Sequence, residues 1–212
     1  MKVLVLGATG AIGKVIVERA LDRSHEITAF VRDARKVTGE QPNVRVEVGN
    51  VLDQNALNRV MGGHDAVILA VGPGHNKVST LRTEAARITV NAMTKAGVKR
   101  LIALSGLGAG VTRKAMGFMF DNVLARTTLK GLLEDQNGME AEIRKSKLDW
   151  VVVRPGEVIA DAPMSRKWVL SLDGTDLTHK IGRQDLALFM LDQLDSEEFV
   201  RKPVAIGMVE QF

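Results

Sequence analysis

Short, unbroken apolar runs recur along this chain, separated by turn residues and by segments with the spacing of a helix. The pattern predicts strands over residues 3–6, 26–31, 44–48, 66–71, 100–104, 148–153, 168–172 and 204–206. After the first strand, helical spacing continues through Ile16, Val17, Ala20 and Leu21. Further helices are predicted over residues 79–96 and 185–194. Residues 112–145 are helical in composition, with breaks expected at Gly117, Gly131 and Gly138.

The alternation of strand and helix predicts an α/β fold. Strands that are apolar without interruption are typical of a parallel sheet covered on both faces, which gives a three-layer, doubly wound sheet of the Rossmann type. Short crossovers then bring the carboxyl end of every strand to one edge of the sheet. We expect residues 1–212 to form one domain, with a small substrate region built from residues 106–145 and 155–183.

Composition narrows the possible partners. The chain has 212 residues, 45% of them hydrophobic, and contains no cysteine, so disulfides and thiolate chemistry are excluded. Lys and Arg outnumber Asp and Glu by 29 to 25, without a basic stripe, which does not indicate a nucleic-acid partner. No apolar run reaches the roughly 18 residues of a membrane span, and the start reads as a strand, not a signal peptide. We expect a cytoplasmic protein, monomeric or homodimeric.

A glycine-rich turn, Gly7-Ala-Thr-Gly10-Ala-Ile-Gly13, joins the first strand to the first helix. Gly7 permits a tight turn, Gly10 permits close approach of a pyrophosphate, and Gly13 permits the helix to pack close to the sheet. Free N–H groups at the helix start favour phosphate. The turn therefore predicts a dinucleotide site, with phosphate contacts from Gly7, Thr9, Gly10, Ala11, Ile12 and Gly13.

Charges at the end of the second strand indicate which dinucleotide is bound. NAD sites usually place a carboxylate there, whereas this chain has Arg32, followed by Arg35 and Lys36. These cations favour a 2′-phosphate and thus NADP(H) over NAD(H). The alternative is that Asp33 holds the ribose hydroxyls and the cations form an ordinary solvated surface.

The next two strands extend the same groove. Asn50 could hydrogen-bond an adenine while Val51 packs on its ring; alternatively, Asn50 is a turn residue. After the fourth strand, small residues let the backbone pass close to the second ribose, namely Ala70, Val71 and Gly72.

Acid–base equipment is sparse. The sequence contains no tyrosine, which excludes the phenolate base of tyrosine-dependent short-chain dehydrogenases. Ser105 could face the nicotinamide or cap a helix, Pro155 ends the sixth strand beside the same groove, and Glu157 is a candidate proton source or a solvated carboxylate. The four histidines are too scattered to indicate a metal site or a serine triad. Hydride transfer then requires an acceptor that is itself electrophilic, such as a flavin, quinone or linear tetrapyrrole.

Several motifs in order resemble the atypical short-chain dehydrogenase group that includes biliverdin-IXβ reductase/flavin reductase and the NmrA-like NAD(P)H-binding proteins. Besides the glycine turn they are Val31-Arg-Asp33, Val48-Gly-Asn-Val-Leu52, His64-Asp-Ala-Val-Ile68, Ser105-Gly106, Val153-Arg-Pro-Gly156 and Ile181-Gly-Arg-Gln-Asp-Leu-Ala187. The resemblance implies phosphates at residues 7–13, the 2′-phosphate at Arg32, adenine at Asn50 and Val51, and nicotinamide near Ser105.

Two departures from the family limit what this resemblance implies about the substrate. Glu157 stands near the position where the flavin reductase has a histidine, and Gly49-Asn50 replaces the usual Gly-Asp. An apolar stretch within residues 108–122, with Met116, Phe118, Met119 and Phe120, would be a substrate lid, a packed helix or a dimer contact. The leading hypothesis is an NADPH-dependent reductase of a flat acceptor. A non-catalytic NADP(H) sensor is the alternative, and a nucleotide-sugar epimerase or dehydratase ranks last.

Overall fold

The computed structural model describes residues 1–37, 43–72, 79–117 and 129–209. The strands are β1 Lys2–Leu6, β2 Glu26–Val31, β3 Val44–Val48, β4 Ala66–Leu69, β5 Arg100–Leu104, β6 Asp149–Pro155, β7 Glu157–Ile159, β8 Trp168–Ser171, β9 Lys180–Gly182 and β10 Lys202–Met208. The α-helices are α1 Ala11–Asp22, α2 Gln54–Met61, α3 Leu81–Ala96, α4 Lys130–Arg144 and α5 Arg183–Asp192. Short 3-10 helices cover Ala34–Lys36 and Gly110–Met116. Residues 118–120 of the apolar stretch that was expected to be a lid, a packed helix or a dimer contact lie outside the described residues.

Eight strands form the main sheet in the order β3-β2-β1-β4-β5-β6-β10-β8. Every neighbouring pair is parallel except β10 and β8. Successive residues of β1 enter opposite cores: Val3 and Val5 pack with α1 and α5, whereas Leu4 and Leu6 pack with α2, α3 and α4. This two-residue alternation puts helices on both faces. The predicted three-layer Rossmann-type α/β fold is confirmed.

Two local expectations were wrong, and one pair of strands was not predicted. β8 runs antiparallel to β10, so its carboxyl end does not join the common edge. The strand β7 pairs with β9 in a separate two-stranded sheet, which three-residue apolar runs were too short to indicate. Gly131 and Gly138 do not interrupt the helix but lie inside α4. The hydroxyl of Thr83 fills the space that a Cβ at Gly138 would need. The close packing of α4 on α3 therefore requires a glycine in mid-helix.

α4 also caps α3. No side chain of the α3 segment itself caps its start at Thr80. Instead, the buried carboxylate of Asp135 accepts hydrogen bonds from Arg82 N (3.1 Å), Thr83 N (2.9 Å) and Thr83 Oγ1 (3.0 Å). A carboxylate at a helix N-terminus is favoured by the helix dipole and satisfies N–H groups that the helix leaves open. The two helices are thereby fixed to each other beside the ends of β4 and β5.

The glycine turn is packed against β4. Gly7 has φ of 95°, and a Cβ there would lie 2.5 Å from the carbonyl oxygen of Ala70. A Cβ on Gly13 would overlap the carbonyl oxygen of Gly7. The turn therefore tolerates no side chain at either position, because the obstructing atoms belong to the backbone.

We predict that Gly13→Ala lowers the free energy of unfolding by about 1–3 kcal/mol, the usual cost of overpacking. Urea denaturation measures this. Gly62→Ala is the matched control, since a Cβ there meets nothing within 4 Å and its φ of −65° suits alanine; its stability should be unchanged or slightly higher. Equal stability of the two variants would contradict the packing argument.

Candidate functional site

A groove of about 420 Å³ crosses the carboxyl edge of the sheet between β3 and β4. Loops after four neighbouring strands, with Leu81 of α3, supply its walls: Gly7, Thr9, Gly10, Phe30, Val31, Arg32, Lys36, Gly49, Asn50, Val51, Leu52, Ala70, Val71, Gly72 and Leu81. Ten of these fifteen residues were expected from the sequence as cofactor contacts. The other five are Phe30, Val31, Gly49, Leu52 and Leu81.

The start of α1 forms one wall of the groove. Gly10 is its N-cap residue, no side chain caps the helix, and no acidic residue lies in its first turn. The first-turn N–H groups have no partner within the helix and present a positive dipole end. Of the predicted phosphate contacts, Gly7, Thr9 and Gly10 line the groove, while Ala11, Ile12 and Gly13 form the first helical turn behind it. This arrangement suits an anion.

The second strand ends in an ordered charge pair. Arg35 Nε and Nη2 donate to Asp33 Oδ1 and Oδ2, both at 2.9 Å, and this hydrogen bonding lowers the pKa of Asp33. Arg35 was expected in the groove, but the structure pairs it with Asp33, and it does not line the groove. Arg32 and Lys36 do line it, and neither makes an ion pair with the described residues. Within the part of the chain that the structure describes, two cations without an ion-pair partner therefore line the groove, while the carboxylate of Asp33 is bonded to Arg35.

The third strand supplies a shaped wall. Asn50 Oδ1 accepts a hydrogen bond from Leu52 N at 3.0 Å, so Asn50 is a turn residue, as the alternative interpretation expected. Its side-chain N–H groups remain as donors. The ring of Phe30 occupies the space that a Cβ on Gly49 would need. A flat group lying here would contact Phe30 and Val51.

Arg82 is a residue that the sequence analysis missed. Its Nη2 lies 3.2 Å from the position of a Cβ on Gly72, at the end of the groove, and its Nη1 is 3.7 Å from Asp135 Oδ2. Burial lowers the pKa of Arg82, and the charge of Asp135 opposes that effect. Contact with a carboxylate 53 positions away in sequence is not visible in any local motif. The groove thus ends beside a largely buried cation.

Ser105 lies at the end of β5 as expected, but its hydroxyl is committed elsewhere. Ser105 Oγ donates to Glu140 Oε1 at 2.8 Å. The same carboxylate accepts from Arg154 Nε (2.9 Å) and Nη2 (2.5 Å) and from Arg144 Nη2 (3.0 Å). Burial by itself raises the pKa of Glu140, but the hydrogen bonds and charge of Arg154, then Ser105 and Arg144, outweigh it and lower the pKa. Ser105 is therefore part of a buried ionic cluster and is not among the groove walls.

The two residues predicted after β6 also lie apart from the groove walls. Pro155 ends β6, is buried, and accepts a hydrogen bond from Leu107 N at 2.7 Å through its carbonyl, which fixes the loop after β5. Glu157 begins β7, where its N–H donates to the His179 carbonyl at 2.7 Å and its side chain is exposed. The structure does not bring Glu157 and Ser105 together as a catalytic pair in contact.

A second cavity, of about 600 Å³, lies farther along the same edge. It is bounded by the 3-10 helix after β5, the loop before β9 and the paired ends of β8 and β10: Ala115, Val169, Gly174, Thr175, Asp176, Leu177, Thr178, His179 and Met208. Ala115 and residues 174–179 belong to the two segments expected to form the substrate region.

The described residues contain no group of three or more His, Asp or Glu side chains placed to hold a metal ion. No helix in this part of the chain combines the length and apolar character needed to cross a membrane.

We predict that Glu140→Gln lowers the free energy of unfolding by about 3–5 kcal/mol near pH 7, because it leaves the fully buried Arg154 without its counter-ion. The lowered pKa means that the ion pair stabilises the fold above the ordinary glutamate range and loses this effect as pH falls through the folded-state pKa. The variant's deficit should therefore shrink in acid, as urea denaturation at several pH values measures.

Glu142→Gln, on the same helix, is the control for this prediction. Its pair with Lys145 lies at the surface and should contribute less than about 1 kcal/mol. A Glu140→Gln deficit no larger than that of Glu142→Gln, or one independent of pH, would refute the role given to the buried cluster.

The profile of the NAD(P)H-binding family matches residues 7–197. An uncharacterised chloroplastic protein of Arabidopsis thaliana is 31% identical over 215 residues, covering 97% of this chain and 76% of its own length. Divinyl chlorophyllide a 8-vinyl-reductase of Oryza sativa is 28% identical over 232 residues, covering 97% of this chain and 54% of its own length.

Among solved structures, a short-chain dehydrogenase/reductase from Veillonella parvula in complex with NADP superimposes with a TM-score of 0.82 at 16% identity. The match covers 97% of this chain and 94% of that protein, and at this identity it shows a shared fold. The resemblance inferred from the sequence is thus confirmed at the level of the family. With a family match over nearly its whole length and a Rossmann-type sheet, the chain belongs to the NAD(P)H-binding family.

Proposed function

We propose that this protein is an NADPH-dependent oxidoreductase that transfers hydride directly to a flat conjugated acceptor: a flavin, or else a quinone or tetrapyrrole. The main observation in support is the arrangement of charges after β2. Arg32 and Lys36 line the groove, while Arg35 binds the carboxylate of Asp33. A ribose 2′-phosphate would be attracted there. A ribose 2′-hydroxyl would find both oxygens of the nearest carboxylate already bonded.

The residues of the chain have distinct tasks in this proposal. Gly10 and the first turn of α1 hold the pyrophosphate, Arg32 and Lys36 hold the 2′-phosphate, and Phe30 and Val51 flank the adenine. When bound, the cofactor would supply a hydride, an electron pair with a proton. The acceptor would take the balancing proton from water, because the sequence offers no tyrosine to donate it. Holding two flat molecules face to face then accounts for most of the rate enhancement.

The relatives favour reduction as the reaction class. The rice relative is named as a reductase of divinyl chlorophyllide, and the match covers 97% of this chain. Chlorophyllide is a flat conjugated macrocycle, so the substrate in that name has the shape proposed here for the acceptor. The cavity bounded by Ala115, His179 and Met208 offers space for such a ring at the same edge of the sheet.

We predict that Arg32→Ala weakens NADPH binding by about tenfold or more, the effect of losing one charge-assisted hydrogen bond, and leaves NADH binding within about twofold. Titration of protein fluorescence or calorimetry measures both affinities. Arg45→Ala removes the same charge from a residue that pairs with Glu47 on β3, so it should leave both affinities unchanged. Equal binding of NADPH and NADH that Arg32→Ala does not alter would remove the 2′-phosphate assignment.

We predict steady-state oxidation of NADPH by the wild-type protein with at least one of FMN, riboflavin, a quinone or biliverdin as acceptor. Loss of NADPH absorbance follows the reaction. Arg32→Ala should raise the KM for NADPH with little change in kcat, because the 2′-phosphate is held equally in the ground state and transition state. No turnover with any of the four acceptors would eliminate the proposal.

A non-catalytic NADP(H) sensor is the second candidate. It is favoured by the commitment of the Ser105 hydroxyl to Glu140 and by the exposed position of Glu157, which leave neither predicted catalytic side chain at the groove. A sensor would bind oxidised and reduced cofactor without turnover and co-purify with a protein partner. The same binding and turnover measurements separate the two candidates.

A further inference from the structure

Gln136 of α4 is buried and has an unused acceptor. Its side chain lies over Gly106, immediately after β5: a Cβ on Gly106 would overlap the Gln136 amide nitrogen and lie 3.3 Å from Oε1. Gln136 is 6% exposed, and its Oε1 has no hydrogen-bond partner among the described residues. A buried acceptor left unbonded is costly, so such an atom requires an explanation.

The sheet register places this amide next to the groove. β4 and β5 pair in parallel up to Leu69 and Ala103. Gly72 and Gly106 each lie three residues beyond this last pair, and neighbouring strands lie about 4.8 Å apart. Gly72 is a wall of the groove. Gln136 therefore stands one strand beyond the groove, at the same carboxyl edge.

The neighbouring carboxylates of α4 have no capacity to spare for a ligand. Asp135 accepts from the start of α3, and Glu140 accepts four hydrogen bonds. Gln136 Oε1 is thus the unsatisfied acceptor among these three side chains. Its missing partner must be a donor, which means a hydroxyl or an amide N–H, and not a phosphate or carboxylate.

We propose that Gln136 binds the nicotinamide half of the dinucleotide, with Oε1 accepting a hydrogen bond from a ribose hydroxyl or the carboxamide N–H. This inference rests on the proposed function. A dinucleotide whose phosphates lie at Gly10 and whose chain passes Gly72 brings these donors to the ends of β4 and β5. The phosphates and the adenosine lie on the other side of Gly72 and do not reach Gln136.

The test compares a whole cofactor with half of one. Gln136→Met, which keeps the side-chain length but removes the acceptor, should weaken NADPH binding about tenfold, the loss of one hydrogen bond to a buried amide. Binding of adenosine 2′,5′-bisphosphate, which has no nicotinamide, should be unchanged. The urea midpoint of the ligand-free variant should not fall, whereas a purely structural glutamine would lower it.

A second variant keeps the test decisive if Gln136→Met does not fold. Gly106→Ala keeps the Gln136 side chain but displaces its amide group from its present position. Only the end of a flexible side chain has to move. This variant should show the same selective loss of NADPH affinity. Gln193→Met is the matched control. The Gln193 side chain is also buried, and its Oε1 has no hydrogen-bond partner among the described residues. Its backbone carbonyl accepts a hydrogen bond from Arg100 Nε, at the opposite edge of the sheet. NADPH binding should be unaffected by Gln193→Met.

Each failure has its own signature. Wild-type affinity for NADPH in both folded variants, with adenosine 2′,5′-bisphosphate still bound, overturns the role of Gln136 and leaves the groove assignment standing. A Gln136→Met variant that binds NADPH normally but shows a higher KM for the acceptor overturns it as well, because the donor then belongs to the acceptor. A wild-type protein that binds neither nucleotide overturns the proposed function and this inference together.

Discussion

The contact between the first βα turn and the end of β4 is the constraint on which the site depends. The strand order reverses at this point: β1 is followed in space by β2 and β3 on one side and by β4 and β5 on the other. The connecting segments leave in opposite directions and open a crevice. Gly7 fits against the Ala70 carbonyl only without a Cβ, and Gly13 fits over Gly7 under the same condition. The groove is therefore a consequence of topology and of two missing side chains.

Much of the fold and the groove formed by the loops after β1 to β4 were predictable because their determinants are local. A strand, a glycine turn and a helix occupy consecutive residues 2–22, and the loops carrying Arg32, Asn50 and Gly72 each follow a strand directly. Parallel strands bring such loops to one edge, so separate motifs combine without knowledge of the packing. Residues that lie in the loop directly after their own strand were therefore predicted at the position where the structure has them, as walls of the groove.

The prediction was incomplete where two side chains bind each other. Arg35 was expected in the groove, but it binds Asp33, two positions earlier in the sequence. Composition alone does not decide whether Arg35 binds this neighbour or lines the groove. The partner of Ser105 is 35 positions away. One signal was present: the two-residue alternation in β5 and β6 turns Ser105 and Arg154 toward the face that α4 covers, where helical residues must supply the counter-charge. Gln136 gave no such signal.

These distant pairings divide the edge of the sheet into two parts with different physics. From β3 to β4 the groove is lined by exposed cations, glycines and open backbone N–H groups, which can be arranged for an anionic ligand at little cost to the fold. From β5 to β6 the polar groups are buried and mutually bonded through Glu140, which suits rigidity more than proton transfer.

A proton donor in that second region would have to break a bond to a carboxylate with a lowered pKa before reaching a substrate. In the proposed reaction this cluster would therefore not supply the proton, which would come from water or from the acceptor. The proposal of an electrophilic, conjugated acceptor agrees with such a cluster, since that kind of molecule accepts the electron pair first and needs the proton only afterwards.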